Sequence, residues 1–152
     1  MYVCLSSGHR PRYLRDVARA LALPPGMWLY FRYERGWIAD EVRDKLDKER
    51  TRRTLHGERV LIAYIDQHPS RSAFEIVPCR FATLVNVSAV GQTASLRLQL
   101  EEFAHAADLA RFNDELGDKA HNLPHRAGGE INGAYWLNID SGPLPARVLT
   151  VS

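Results

Sequence analysis

The chain has 152 residues, 45% of them hydrophobic and 25% charged, and a formal net charge of +2. Such a length supports one domain with its own core, burying about 70% of the unfolded chain's surface without a disulfide or metal staple. The composition is that of a soluble globular protein, and the longest apolar run, Val60 to Ile65, falls far short of the roughly 18 residues of a membrane span.

The opening MYVCLSSGHR has no basic region followed by a long apolar one, so no secretory leader is expected. The two cysteines, Cys4 and Cys79, each fall in an expected strand and read as buried, reduced thiols, which fits a cytoplasmic setting. Charge is unevenly placed. Residues 1–80 hold 15 Lys and Arg against 10 Asp and Glu, and residues 81–152 hold 5 against 8. A basic first half could orient the molecule toward a polyanion.

In chain order, Tyr2 to Leu5 reads as a short strand. Pro11 opens a helix with Tyr13, Leu14, Val17, Ala18 and Leu21 on one face and Arg12, Arg15, Asp16 and Arg19 on the other. Leu23-Pro24-Pro25-Gly26 ends it. Met27 to Tyr33 is an aromatic strand with Trp28, Tyr30 and Arg32 on one face and the more apolar Met27, Leu29, Phe31 and Tyr33 on the other.

Asp40 to Arg53 is nearly all charge and reads as an exposed helix. Glu41/Lys45, Asp44/Lys48 and Glu49/Arg53 stand at i,i+4, and Val42 and Leu46 mark the inner face. Val60 to Ile65 is apolar without alternation, as in a central strand covered on both faces. Phe74 to Val77 is extended, and Pro78 demotes it to an edge or a bulge.

Phe81 to Val87 and Ser95 to Leu100 form a hairpin turned at Ser88–Thr93, with Gly91 free to take positive φ. Leu96, Leu98 and Leu100 should line the core, with Arg97 and Gln99 pointing away and Arg80, beside the Pro78 edge, within reach of a ligand. Glu101 to Leu116 reads as a helix, Lys119 to Gly133 as a loop, Ala134 to Ile139 as a strand, and Ala146 to Val151 as another strand-like run. That apolar ending is compatible with a domain excised from a longer protein.

The expected fold class is α+β: a curved, mainly antiparallel sheet or small β-barrel with about three helices, as a single domain over residues 1–152. At Gly57-Glu58-Arg59-Val60-Leu61-Ile62-Ala63-Tyr64 the chain resembles the segment leading into a strand of PUA-like small β-barrels, including the EVE and ASCH groups. Glu58 would hold the acidic place and Tyr64 the aromatic one. The resemblance implies RNA or modified-base binding, or a sensor role beside an effector domain.

Three sets of residues could bear chemistry. The aromatics Trp28, Tyr30, Tyr33 and Trp37 beside Arg32 and Arg35 could stack and clamp bases, or they could be core residues with polar tips at the rim. The run Arg50 to His56, with Arg52 and Arg53, could track phosphates, or it could be a solvated helix end diluted by Asp44, Asp47, Glu49 and Glu58. His121 and His125 have helical metal-ligand spacing, but Pro124 interrupts it, so no metal and no cofactor are expected.

The expectation is therefore a non-enzymatic recognition module for nucleic acid or a nucleotide-like ligand. Arg32, Arg35, Arg52 and Arg53 would meet phosphates, and Trp28 and Tyr30 would stack. RNA or DNA, a protein partner or a fused effector domain are the partners considered, and no membrane. The alternatives are a protein-interaction or oligomerisation domain and a small hydrolase using Asp66, His68 or the His121/His125 pair.

Overall fold

The computed structural model describes residues 2–7, 11–38, 40–66, 75–109, 116, 126–127, 130–131 and 134–138. Their order is β1 (Tyr2–Ser7), α1 (Pro11–Ala22), β2 (Trp28–Glu34), a 3-10 turn (Arg35–Trp37), α2 (Asp40–Arg43), α3 (Glu49–Arg53), β3 (Arg59–Asp66), β4 (Glu75–Val90), β5 (Thr93–Phe103), α4 (Ala106–Leu109), β6 (Arg126–Ala127), β7 (Glu130–Ile131) and β8 (Ala134–Asn138). The fold is α+β. Its frame is a six-stranded mixed sheet in the order β2-β5-β4-β3-β1-β8, in which only β1 and β3 run parallel.

The sheet curls into a half-barrel. The register slips at Ile62/Ala63 between β3 and β4, and at Arg80/Ala82 and Leu84/Asn86 between β4 and β5. Each slip adds local twist and bends the strand. The curl brings the sheet's two ends near one another: Ile38, just past β2, makes a parallel bridge to Trp136 of β8, and the rings of Tyr33 and Trp136 are 6.3 Å apart.

The main core lies on the concave side. Leu29, Phe31 and Tyr33 of β2 pack there with Leu96, Leu98 and Leu100 of β5 and with Leu84 and Val87 of β4. Val17 and Ala20 of α1 join the same cluster, as do Val42, Leu46 and Leu55 of the α2–α3 segment, so both helical pieces cover this face. Val60, Leu61, Ile62 and Ala63 of β3 are all buried, as expected of a central strand covered on both sides.

The hairpin forms as expected, with a tighter turn than the expected Ser88–Thr93, because Ser88 to Val90 and Thr93 belong to the strands. Val90 pairs with Thr93, so the turn is the two residues Gly91 and Gln92, and Gly91 has φ +59°. A two-residue hairpin loop requires positive φ at its first position, which glycine takes without strain. Pro78 lies inside β4, not at its end. It sits where β5 has not yet begun to pair and where the β3–β4 register slips, the edge-and-bulge setting that proline tolerates.

Several elements differ from expectation. Leu14 and Leu21 of α1 are 47% and 45% exposed and Ala18 is exposed too, while Tyr13, Val17 and Ala20 face inward. The apolar stripe is wider than the sheet contact can cover. The charged stretch is two short helices joined by a bend, not one helix. It still buries Val42 and Leu46, but Lys45 donates to the Tyr2 hydroxyl at 2.8 Å, and Glu49/Arg53 at 2.8 Å is the spaced pair seen among the described contacts.

Glu101 to Phe103 extend β5 rather than opening a helix, because Arg59 engages both Glu101 and Glu102 from β3 and Phe103 pairs with Arg80. Helix α4 starts only at Ala106. There Asp108 accepts from the His105 backbone N–H at 2.8 Å, and Leu116 is helical and buried. Within the stretch expected to be a loop, β6 and β7 form a small ladder, Arg126 opposite Ile131 and Ala127 opposite Glu130. No helix among the described residues is long and apolar enough to cross a membrane. The run Ala146 to Val151 lies outside the described residues.

Candidate functional site

Strand β2 is an edge strand with strict in-out alternation. Its inward residues fill the core, which forces Trp28, Tyr30, Arg32 and Glu34 onto the convex face. Trp28 is 48% and Tyr30 56% exposed. Rings of this size are left in water on a protein surface only at a cost, about 25 cal/mol for each Å² that could have been buried. Two on adjacent outward positions of one strand make a concentrated apolar platform.

Cross-strand register completes the platform. Trp28 lies opposite Gln99, Tyr30 opposite Arg97, Arg32 opposite Ser95 and Glu34 opposite Thr93. The guanidinium of Arg97 sits 3.1 Å from the centroid of the Trp28 ring. Its Nε is buried and has no hydrogen-bond partner among the described residues. A guanidinium held over an indole is attracted by the ring's quadrupole and is only weakly hydrated. It rigidifies the indole and covers one face of it.

Beside Tyr30 the surface opens into a cleft of about 400 Å³ lined by Asp16, Tyr30, Arg32, Tyr33, Glu34 and Thr93. Its lining mixes one cation, two carboxylates, a hydroxyl and aromatic rings. Tyr33 forms its inner wall. Burial pushes the Tyr33 hydroxyl well above its ordinary pKa, and its neighbour Cys4 adds to the shift.

The remaining arginines lie elsewhere. Arg35, in the 3-10 turn, is ion-paired with Asp47. Arg52 donates from Nη1 to the Leu46 carbonyl at 3.2 Å, and Arg53 pairs with Glu49 at 2.8 Å. Arg52 and Arg53 belong to the segment that covers the concave side, whereas Trp28, Tyr30 and Arg32 project from the convex side. The fold thus brings Trp28, Tyr30 and Arg32 together and leaves Arg35, Arg52 and Arg53 apart from them. Trp37 ends the 3-10 turn.

Arg80 is fully buried and does not reach the surface. It donates from Nε to the Glu101 carbonyl at 2.7 Å and from Nη1 to the carbonyls of Ala20, at 3.2 Å, and Leu23, while its guanidinium lies 4.4 Å from the Phe103 ring centroid. It binds the C-terminal end of α1, where unpaired carbonyls and the helix dipole favour a cation. The expectation that Arg80 could touch a ligand is corrected by this burial. On the convex face, Arg59 is held by Glu101 and Glu102 and stacks 4.2 Å from the Phe81 ring centroid, so it is already neutralised.

No group of three or more His, Cys, Asp or Glu side chains that could hold a metal occurs among the described residues. His56 is described; its Nε2 accepts from the Val87 backbone N–H at 3.3 Å. His68, His121 and His125 lie outside the described residues. Reasoning on the sequence aimed Arg97 away from the core but gave it no role, and it placed Thr93 in the hairpin turn and Glu34 outside the strand. Period-2 alternation aims each of them outward, but only the β2–β5 register says that they stand beside Trp28 and Tyr30.

Comparison with protein-family models, with curated proteins and with solved structures finds no match to this chain.

Proposed function

We propose that the protein is a non-enzymatic recognition module whose convex β2–β5 face binds single-stranded nucleic acid. The observation that carries this reading is the pair of exposed rings Trp28 and Tyr30 on adjacent outward positions of β2, the first backed by the guanidinium of Arg97. Bases stack on such rings whatever their identity, each worth about 1–3 kcal/mol. Arg32, exposed on the same face, meets a phosphate. Duplex nucleic acid keeps its bases stacked on each other and offers nothing to these rings. A PUA-like relationship, resting on the segment Gly57 to Tyr64, is part of the proposal, as are a sensor role beside an effector domain and a cytoplasmic setting.

The test is titration of the intact chain with a labelled single-stranded oligonucleotide at low salt. Binding that weakens with salt and with Trp28→Ala supports the reading, and no binding at low salt removes it.

A second reading, docking of a protein partner or self-association, is favoured by the exposed stripe Leu14, Ala18 and Leu21 on α1. Light scattering on the pure chain, before and after Leu14→Lys and Leu21→Lys, tests its self-association form. A strict monomer removes that form.

A further inference from the structure

We propose that the cleft beside Tyr30 selects guanine. The inference deepens the single-strand reading and rests on it. The cleft, about 400 Å³, is of a size that takes a small planar ligand, with the half-exposed Tyr30 ring as a wall on which such a ligand can stack.

The selectivity follows from Glu34. Its side chain is exposed at the cleft and makes no capping bond to the 3-10 turn that it precedes. An ionised carboxylate offers two acceptor oxygens and no donor. The base edge that answers it has two adjacent donors. Guanine presents them on its pairing edge, as N1–H and the N2 amino group. Adenine and cytosine each present one amino donor beside an acceptor nitrogen. Uracil presents a single N–H between two carbonyl oxygens, which a carboxylate repels.

The other groups of the cleft agree with this assignment. Thr93 stands directly opposite Glu34 across the ladder, so its hydroxyl lies beside the carboxylate and can serve either sense of hydrogen bond. Arg32 is two residues from Glu34 on the same face and has only donors, so it suits a phosphate of the strand next to the stacked base. Stacking on Tyr30 and a donor-rich edge at Glu34 are then met by one guanosine, and Arg32, between them on the strand, is left for a neighbouring phosphate of the extended chain.

The experiment uses short oligomers that differ at one central position: uridine throughout, uridine with one guanosine, and uridine with one inosine, which lacks only the 2-amino group. Each is made as RNA and as DNA. The guanosine oligomer should bind about 10- to 100-fold tighter than the uridine one, the worth of a good two-point base contact. Inosine should lose much of that gain. Glu34→Gln should abolish the preference, and because the lost charge moves all oligomers alike, the ratio of affinities is the readout.

Equal affinities in the unaltered protein, or a preference that survives Glu34→Gln, overturn guanine selection and leave strand binding standing. Binding to none of the oligomers overturns both. Displacement of the guanosine oligomer by guanosine monophosphate at equal concentration supports guanine selection and makes the free nucleotide, not a strand, the ligand.

Discussion

The Nη1 of Arg80 donates to the carbonyl of Ala20 at 3.2 Å, across 60 positions of sequence, and so ties β4 to the end of α1. The same nitrogen reaches Leu23, and Nε reaches Glu101. With no carboxylate partner among the described residues, the buried guanidinium is tolerated because carbonyls at the end of α1 and of Glu101 take the donors on Nη1 and Nε and Phe103 takes its face, while Nη2 is left without a partner among those residues. Arg80→Met should strand these carbonyls and cost about 3 kcal/mol or more, since hydrogen bonds to charged groups are worth about 1.5–3 kcal/mol each. Arg80→Lys should recover only part of it, because an ammonium lacks the planar fork. Urea unfolding of both variants checks the prediction, and a loss below about 1 kcal/mol for Arg80→Met would show that the guanidinium anchors nothing.

The arginines on the two sides of the sheet should differ in binding. Arg32→Gln should weaken single-strand binding and lower the slope of log affinity against log salt by about 1, the loss of one phosphate contact. Arg53→Gln should change the slope far less, because its guanidinium is held by Glu49 on the segment covering the concave side. Anisotropy titrations at several salt concentrations measure both. Equal slope changes would mean that phosphates reach both sides of the molecule.

The thiols should be inert at neutral pH. Burial pushes Cys4 from its ordinary 9.0 up to about 12, against the opposing effect of a Tyr33 hydrogen bond, and pushes Cys79 up to about 11. The folded state therefore holds these protons more tightly than the unfolded chain does. The stability tied to the neutral thiols is complete below pH 9.0 and drains away as pH rises from there through about 11 and 12. Unfolding followed by urea at pH 8, 9 and 10 should show this decline beginning, and Cys4→Ala should flatten it. A thiol reagent at pH 8 should label neither cysteine in the folded protein and both in urea.

At the hairpin, Gly91→Ala should cost about 1–2 kcal/mol, the penalty of a Cβ at left-handed φ. Nothing stands within 4 Å of where that Cβ would be, so no clash adds to the strain in the backbone. Gly91→Asn should cost less, since asparagine tolerates this region better. Thermal or urea unfolding distinguishes the two.

Local pattern was enough for much of the framework. Alternation in Met27–Tyr33 and Ser95–Leu100 assigns each side chain to a face, because a strand's period is two whatever its partner. Gly91 marks the turn because only its lack of a Cβ makes that φ cheap, and the unbroken apolar run of Val60 to Ile65 marks a strand with both faces covered. Where pattern misled, a distant partner had intervened. Arg59 and Arg80 hold Glu101–Phe103 in a strand that could have been helix, and the sheet contacts only half of the apolar stripe on α1.

The candidate site divides in the same way. That Trp28, Tyr30 and Arg32 share one face follows from the sequence, and Glu34 joins them because β2 runs one residue past the expected Tyr33. That this face is the convex one, that Arg97 lies over Trp28, and that Arg52 and Arg53 face the other way depend on the order β2-β5-β4 and the curl of the sheet. Strand order and curvature are set by hydrogen-bond ladders and bulges between segments far apart in the chain, and no local pattern encodes which strand will stand beside which.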